Sequence, residues 1–173
     1  MEIIDYCAPY LRAYLDEKLH IYRDEGSLST DIIHMFEKLY NIRLPILYKT
    51  LTYYYNGARL ENDCFDYADL NLNGEVNTDA IAFDCLDKID HRIENIKSGE
   101  EPDWPIEYRF EDGLIPFGDN GGGDMICFDY RNDKTTDDPP IVIWNHDMGL
   151  KHRVVFIAKN FEEFINMLHE PED

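Results

Sequence analysis

The stretch "LIPFGDNGGGDMICFD", residues 114–129, decides how the second half of this chain folds. Three consecutive glycines, Gly121 to Gly123, lie between Asn120 and Asp124, with an apolar run on each side. A phosphate cradle needs a lysine and a hydroxyl residue after its glycines, and a helix behind them. Here no lysine follows, two aspartates flank the glycines, and carboxylates repel phosphate. A calcium loop collects roughly six to eight oxygens. Asp119, Asn120 and Asp124 supply too few, and no glutamate completes the set. The remaining reading is a turn. "LIPF" ends one strand, "GDNGGGD" reverses the chain through positive φ values, and "MICFDY" runs back.

The residues after this hairpin continue the sheet. "PPIVIW" (139–144) and "HRVVFIA" (152–158) are short, apolar and β-rich, and residues 132–140 form a loop between hairpin strands. "IEYRF" (106–110) alternates and predicts a strand before the hairpin. "FEEFINML" (161–168), led by Asn160, predicts a closing helix. Helices gather in the first half. One runs to about Tyr22, with Pro9 in its first turn. A second is capped by Ser29 or Thr30 and runs through Ile32, Ile33, Phe36 and Leu39. A third starts at Pro45 and stops at Asn56-Gly57. A fourth spans 77–97, with Ile81, Cys85, Leu86, Ile89, Ile93 and Ile96 as its stripe. This order predicts an α+β fold: a mostly antiparallel sheet of about five or six strands with helices packed around it, N-terminal helices and one C-terminal helix. Residues 1–173 read as one domain, with an extra N-terminal helix over 1–25 and an acidic middle over 61–113.

The formal charge of −20 is uneven: net −1 over residues 1–60, −12 over 61–113 and −7 over 114–173. Such a field disfavours nucleic acid and anionic lipid and speeds encounter with a basic protein. Plain solubility is the alternative reading of the same charge. No apolar run approaches the roughly 20 residues needed to span a bilayer. The opening "MEIIDYCAPY" lacks the basic start of a secretory leader, and Cys7, Cys64, Cys85 and Cys127 form no C-x-x-C. The expectation is a cytoplasmic protein with reduced thiols.

Chemistry is sparse. The three serines, Ser27, Ser29 and Ser98, occupy turn or cap settings, and no G-x-S-x-G appears. His146, Asp147 and His152 lie close in sequence, without a third ligand at recognisable spacing, and read as solvated histidines at a hairpin tip. "DLNLNGEVNTDA" (69–80) approaches a calcium loop at Asp69, Asn71, Asn73 and Gly74, but its twelfth residue is Ala80 rather than glutamate. It reads better as an Asn-Gly turn followed by the cap of the fourth helix. No catalytic residue, cofactor or metal site is expected.

The motifs stand in an order that resembles the SUKH superfamily, the group of the Smi/Knr cell-wall synthesis regulators. They run from Ile32 to Leu168: Leu44-Pro45, Tyr48 and Asn56-Gly57; then Ile115, Pro116, Gly118 and Gly122-Gly123-Asp124; then Asp129; then Trp144, His146 and Asp147; then Ile157, Ala158, Phe161 and Phe164. The extra N-terminal helix and the acidic middle depart from the pattern. The resemblance implies no catalysis and, for many bacterial members, an immunity protein that binds a toxin, often a nuclease. A nuclease is usually basic because it holds phosphates. Expected contacts are Asp119, Asn120, Asp124 and Asp129 at the turn, then Trp144, His146 and Asp147 on the adjoining strand end. The competing reading makes Trp144 core and the aspartates turn formers. A general interaction scaffold without a toxin is the alternative function, and a metal-dependent enzyme using His146 and His152 is the third.

Overall fold

The computed structural model describes residues 5–69, 73–100, 103 and 109–172. A short 3-10 turn leads into α1 (Pro9–Lys18), which begins on its proline, where the missing N–H costs nothing. The helix stops earlier than its apolar spacing suggests. Asn62 accepts from the His20 backbone N–H and donates to the Lys18 carbonyl, both at 2.9 Å, and turns the chain into strand β1 (Ile21–Arg23). α2 (Thr30–Tyr40) is capped by Ser29, whose hydroxyl accepts from the Ile32 N–H. α3 (Ile46–Tyr55) follows Leu44-Pro45. Its end is built by two different residues. Gly57 takes φ +66°, while Asn56 stays extended and buried, accepting from the Leu86 N–H at 2.9 Å and donating to Asp87 at 2.8 Å.

The acidic middle is a correction to the expected helix. After β2 (Arg59–Leu60), strands β3 (Cys64–Asp69) and β4 (Glu75–Ala80) pair antiparallel, from Cys64 opposite Ala80 to Asp69 opposite Glu75. Asn77 and Thr78 therefore sit in a ladder rather than at a cap. Thr78 donates to Asp66 across the pair at 2.5 Å. Val76 and Thr78 are β-branched, which suits that role. Asn73 and Gly74 both take positive φ, as the Asn-Gly turn requires. Residues 70–72 of the calcium-loop reading lie outside the described residues. β5 (Ala82–Phe83) then joins the main sheet, and a 3-10 turn over Leu86–Lys88 delivers α4 (Ile89–Ser98). Of the strand expected at 106–110, residues 106–108 are outside the described residues, and Arg109 and Phe110 are not in a strand.

The rest of the second half follows expectation, except that His152 and Arg153, expected in the last strand, belong to a short helix before it. β6 (Leu114–Asp119), β7 (Met125–Asp129) and β8 (Ile141–Trp144) are joined by β9 (Val154–Ala158) after the short α5 (Leu150–Arg153). With β5 they form a five-stranded antiparallel sheet in the order β5-β6-β7-β8-β9. α6 (Phe161–Asn166) closes the chain, capped by Asn160, which accepts from Glu163 N–H at 2.8 Å. The α+β architecture is thus the one the sequence predicts.

The core lies between the sheet and the helices. Phe117 stacks on Phe128 at 4.3 Å between ring centres, and Tyr48 of α3 meets Phe128 edge-on at 4.9 Å. Phe161 and Phe164 of α6 close over Phe117, each at 5.7 Å. Each such ring, fully buried, stabilises the fold by roughly 1.5–3 kcal/mol. The register between β6 and β7 shifts around Phe117, and this shift accompanies a close approach at Gly118. A Cβ on Gly118 would stand 2.8 Å from the Ala82 carbonyl oxygen, so only glycine lets β5 pair there.

Candidate interaction site at the glycine turn

The β6–β7 hairpin carries Asp119 to Asp124 to one end of the sheet, and the loop after β8 brings His146 and Asp147 to the same place. Asn120 organises the turn. Its side-chain oxygen accepts from the Gly122 N–H at 2.9 Å and the Asp124 N–H at 3.2 Å. Its amide nitrogen donates to Asp79 of β4 at 3.0 Å and to Asp124 at 3.1 Å. Gly121 and Gly123 take φ of +75° and +107°, which an L side chain rarely adopts. The turn is therefore held closed by its own atoms.

His146 sits against it. Its backbone N–H donates to Asp124 Oδ1 at 3.0 Å, and its Nδ1 lies 2.8 Å from the same oxygen. Its Nε2 lies 3.1 Å from Asp147 Oδ2. A Cβ on Gly123 would stand 2.9 Å from the imidazole, so the third glycine makes room for the ring. Asp147 points outward, with 85% of its side chain exposed.

The expected contact residues thus divide. Asn120, Asp124, His146 and Asp147 come together. Asp119 turns the other way, accepting from Gly121 N–H at 2.8 Å and pairing with Arg92 of α4. Arg92 also reaches Asp84 at 2.7 Å, and the hydrogen bond to Asp84 leads the causes that raise its pKa. Asp129 sits at the far end of β7, 9% exposed. Burial pushes its carboxyl up, but hydrogen bonds from Arg131, at 2.9 and 2.8 Å, outweigh this and hold it below the usual carboxylate range. Trp144 is 6% exposed, packed edge-on against Phe110 at 5.1 Å, with the Arg153 guanidinium 5.1 Å from its ring centre. Its indole Nε1 is buried without a hydrogen-bond partner among the described residues.

Sequence reasoning missed the arginines that serve this region. Arg153, itself buried, donates to the Met148 carbonyl at 2.8 Å and the His146 carbonyl at 3.1 Å, bracing the His146 loop from below. Arg92 lies 27 residues from Asp119, too far for any local signal. Arg131 lies only two residues from Asp129, and that spacing was available to find it. Among the described residues, no group of three or more His, Cys, Asp or Glu is placed to hold a metal ion. The four cysteines are free thiols; Cys64 and Cys127 are buried, and Cys7 and Cys85 half-buried. Among the described residues, no helix is long and apolar enough to cross a membrane.

Residues 27–167, from the approach to α2 through α6, match the model of the SMI1/KNR4 family (SUKH-1). The chain belongs to this family. As a SUKH-domain protein it carries the hairpin, the Leu44-Pro45 entry to α3 and the closing α6 inside the matched region, and α1 and β1 outside it. No curated protein matches the chain. This SUKH domain also has a cleft of about 820 Å³ beside Leu44-Pro45, lined by residues of both charges, among them His34, Arg43, Lys49, Asp138 and Glu162.

Proposed function

We propose that this SUKH-1 member is a cytoplasmic immunity-type protein that binds a basic, nuclease-type toxin domain stoichiometrically and transforms no substrate itself. The observation that carries the reading is the acid surplus, 36 Asp and Glu against 16 Lys and Arg. An inhibitor of that sign meets a phosphate-binding surface quickly and covers it. The glycine turn supports the same reading, because the turn and the His146 loop bonded to Asp124 present Asp147 and the edge of His146 without an ordering cost on binding. Charges already paired inside the fold, Asp119 and Asp129, are assigned to holding the turn and the sheet rather than to the partner.

The test is co-purification with the product of the adjacent reading frame, followed by titration at low and high salt. A stoichiometric complex that weakens at least tenfold between roughly 50 and 300 mM salt is the expected result. Absence of association, or affinity indifferent to salt, defeats the reading. Asp147→Lys should weaken the complex, and intact binding there removes the glycine turn from the interface. A scaffold of the cell-wall-regulator type, without a toxin, is the second reading. The mixed-charge cleft beside Leu44-Pro45 favours it, since it offers a partner both signs of charge.

A further inference from the structure

The apolar side of helix α2 is wider than the core it meets. Ile33 and Phe36 face the core and are buried. Ile32, Met35 and Leu39, spaced i, i+3 and i+7, lie beside that stripe and are 37%, 69% and 65% exposed. Three of the nine exposed large apolar side chains among the described residues therefore stand in one line on one helix. Single exposed apolar residues are ordinary, whereas a row at helical spacing is the form in which a second helix is received. Methionine at its centre adapts to the shape of what it meets.

The charges around the row say what can cover it. Asp31 stands in the first turn of α2, one turn before Met35. At the other end the Tyr40 hydroxyl donates to Asp90 of α4, and both Asp90 and Glu94 lie near enough to act on that phenol. Glu94 is 76% exposed. The lysines nearby are Lys38, on α2 itself, and Lys88, in the 3-10 turn packed against α2, while His91 lies 3.7 Å from Glu94. The row is thus bracketed by acid at both ends, on a chain of net charge −20. A second copy of the chain would oppose acid to acid across the same face, so self-association is disfavoured.

We propose that the Ile32–Met35–Leu39 face of α2 docks an amphipathic helix of a cationic partner, its apolar residues on the row and its lysines or arginines against Asp31, Asp90 and Glu94. This goes beyond the immunity reading, since it fixes the partner's contacting element and holds whether or not that partner is a toxin.

The probe is a synthetic, end-capped helical peptide of roughly 18 residues, leucines on one face and lysines elsewhere, long enough to form a helix on its own. Its control is the same composition scrambled so that no apolar face exists. Each is titrated into the isotope-labelled full chain and followed by amide NMR. Expected are shift changes centred on residues 31–39 and 90–94, weaker binding of the scrambled peptide, and a loss of about tenfold or more in Met35→Asp/Leu39→Asp. Because both side chains are exposed, that variant keeps its fold, which its own NMR spectrum verifies. Shifts centred elsewhere, equal binding of the scrambled peptide, unchanged affinity of the double variant, or no binding would each overturn the proposal.

Discussion

The glycine turn and the outer face of α2 answer opposite problems. The turn is crowded with polar groups and satisfies them from within: Asn120 makes four hydrogen bonds, Asp124 takes two from His146, and Asp119 is paired to Arg92. The face of α2 is apolar, and its exposed row has no cover among the described residues. A carboxylate-rich loop attracts attention in a sequence because its residue types suggest chemistry. In the folded chain much of that chemistry is consumed in holding the loop still. The unremarked row on a helix is where surface remains unanswered. If this contrast is right, changes at the turn destabilise the fold, and changes on α2 leave it alone.

The largest effect is expected at the base of the turn. Gly118→Ala places a methyl 2.8 Å from both the Ala82 carbonyl and Ile81 Cγ1, and backbone cannot yield cheaply. A loss of about 3 kcal/mol in urea unfolding is expected. A loss below about 1 kcal/mol would show that β5 can move aside, and the turn would be less fixed than its hydrogen bonds imply.

At the far end of the same hairpin, Asp129→Asn replaces a buried carboxylate that takes three hydrogen bonds from Arg131 and leaves that guanidinium half-paired. The cost is about 2 kcal/mol at neutral pH. Its pH dependence has a definite sign. The folded carboxyl titrates below the usual range, so its stabilisation is complete above the unfolded value near pH 4 and fades as pH falls through the folded one. Wild-type and variant stabilities should therefore converge in acid. A constant gap across that window would mean that shape, not charge, is what Asp129 contributes.

The sheet half of the molecule was readable because its signals are local. Alternation, paired apolar runs and the glycines between them specify a hairpin within a dozen or so residues. Residues 77–97 misled because Ile81, Leu86, Ile89 and Ile93 are compatible with one long helix, while the pairing of Glu75–Ala80 with Cys64–Asp69 overrides it from outside the window. The site was legible in its loop and not in its supports. Asn120, Asp124, His146 and Asp147 were expected at adjoining strand ends on the strength of the hairpin and the family resemblance, but Arg92 and the buried Arg153 are joined to them only by tertiary geometry. Of the row on α2, Ile32 and Leu39 entered the sequence reading only as helical spacing in one series with Ile33 and Phe36, and Met35 did not enter it. Ile32 and Leu39 are close in sequence to Ile33 and Phe36, and only packing tells the two sets apart.

A smaller effect is expected at Asn120. Two carboxylates beside its nitrogen and two backbone N–H groups beside its oxygen fix the orientation of the amide. Asn120→Ala removes all four bonds, of which the one to Gly122 N–H is exposed and the other three only partly buried, so the freed groups can reach water and the loss is about 1.5 kcal/mol. Amide exchange at Gly122 and Asp124 should rise with it. Unchanged exchange would mean that the glycines alone set the turn, and the side chain of Asn120 would be free to serve the partner instead.

The smallest stability effect belongs to α2, and it sharpens the comparison most. Met35→Asp/Leu39→Asp removes two side chains that are already mostly in water, 69% and 65% exposed, so little apolar burial is lost. Two added aspartates lower helix propensity slightly, and the one at position 39 stands near the helix C-terminus, where the dipole disfavours an acid. The two terms together keep the change within about 1 kcal/mol. If the double variant instead unfolds early, the row packs against part of this chain and is not a vacant face. If stability holds while the cationic helical peptide no longer binds, then folding and recognition are carried by different residues. The hydrogen-bonded interior of the turn would keep the sheet in register, while the row on α2 would meet the partner's helix alongside the exposed Asp147.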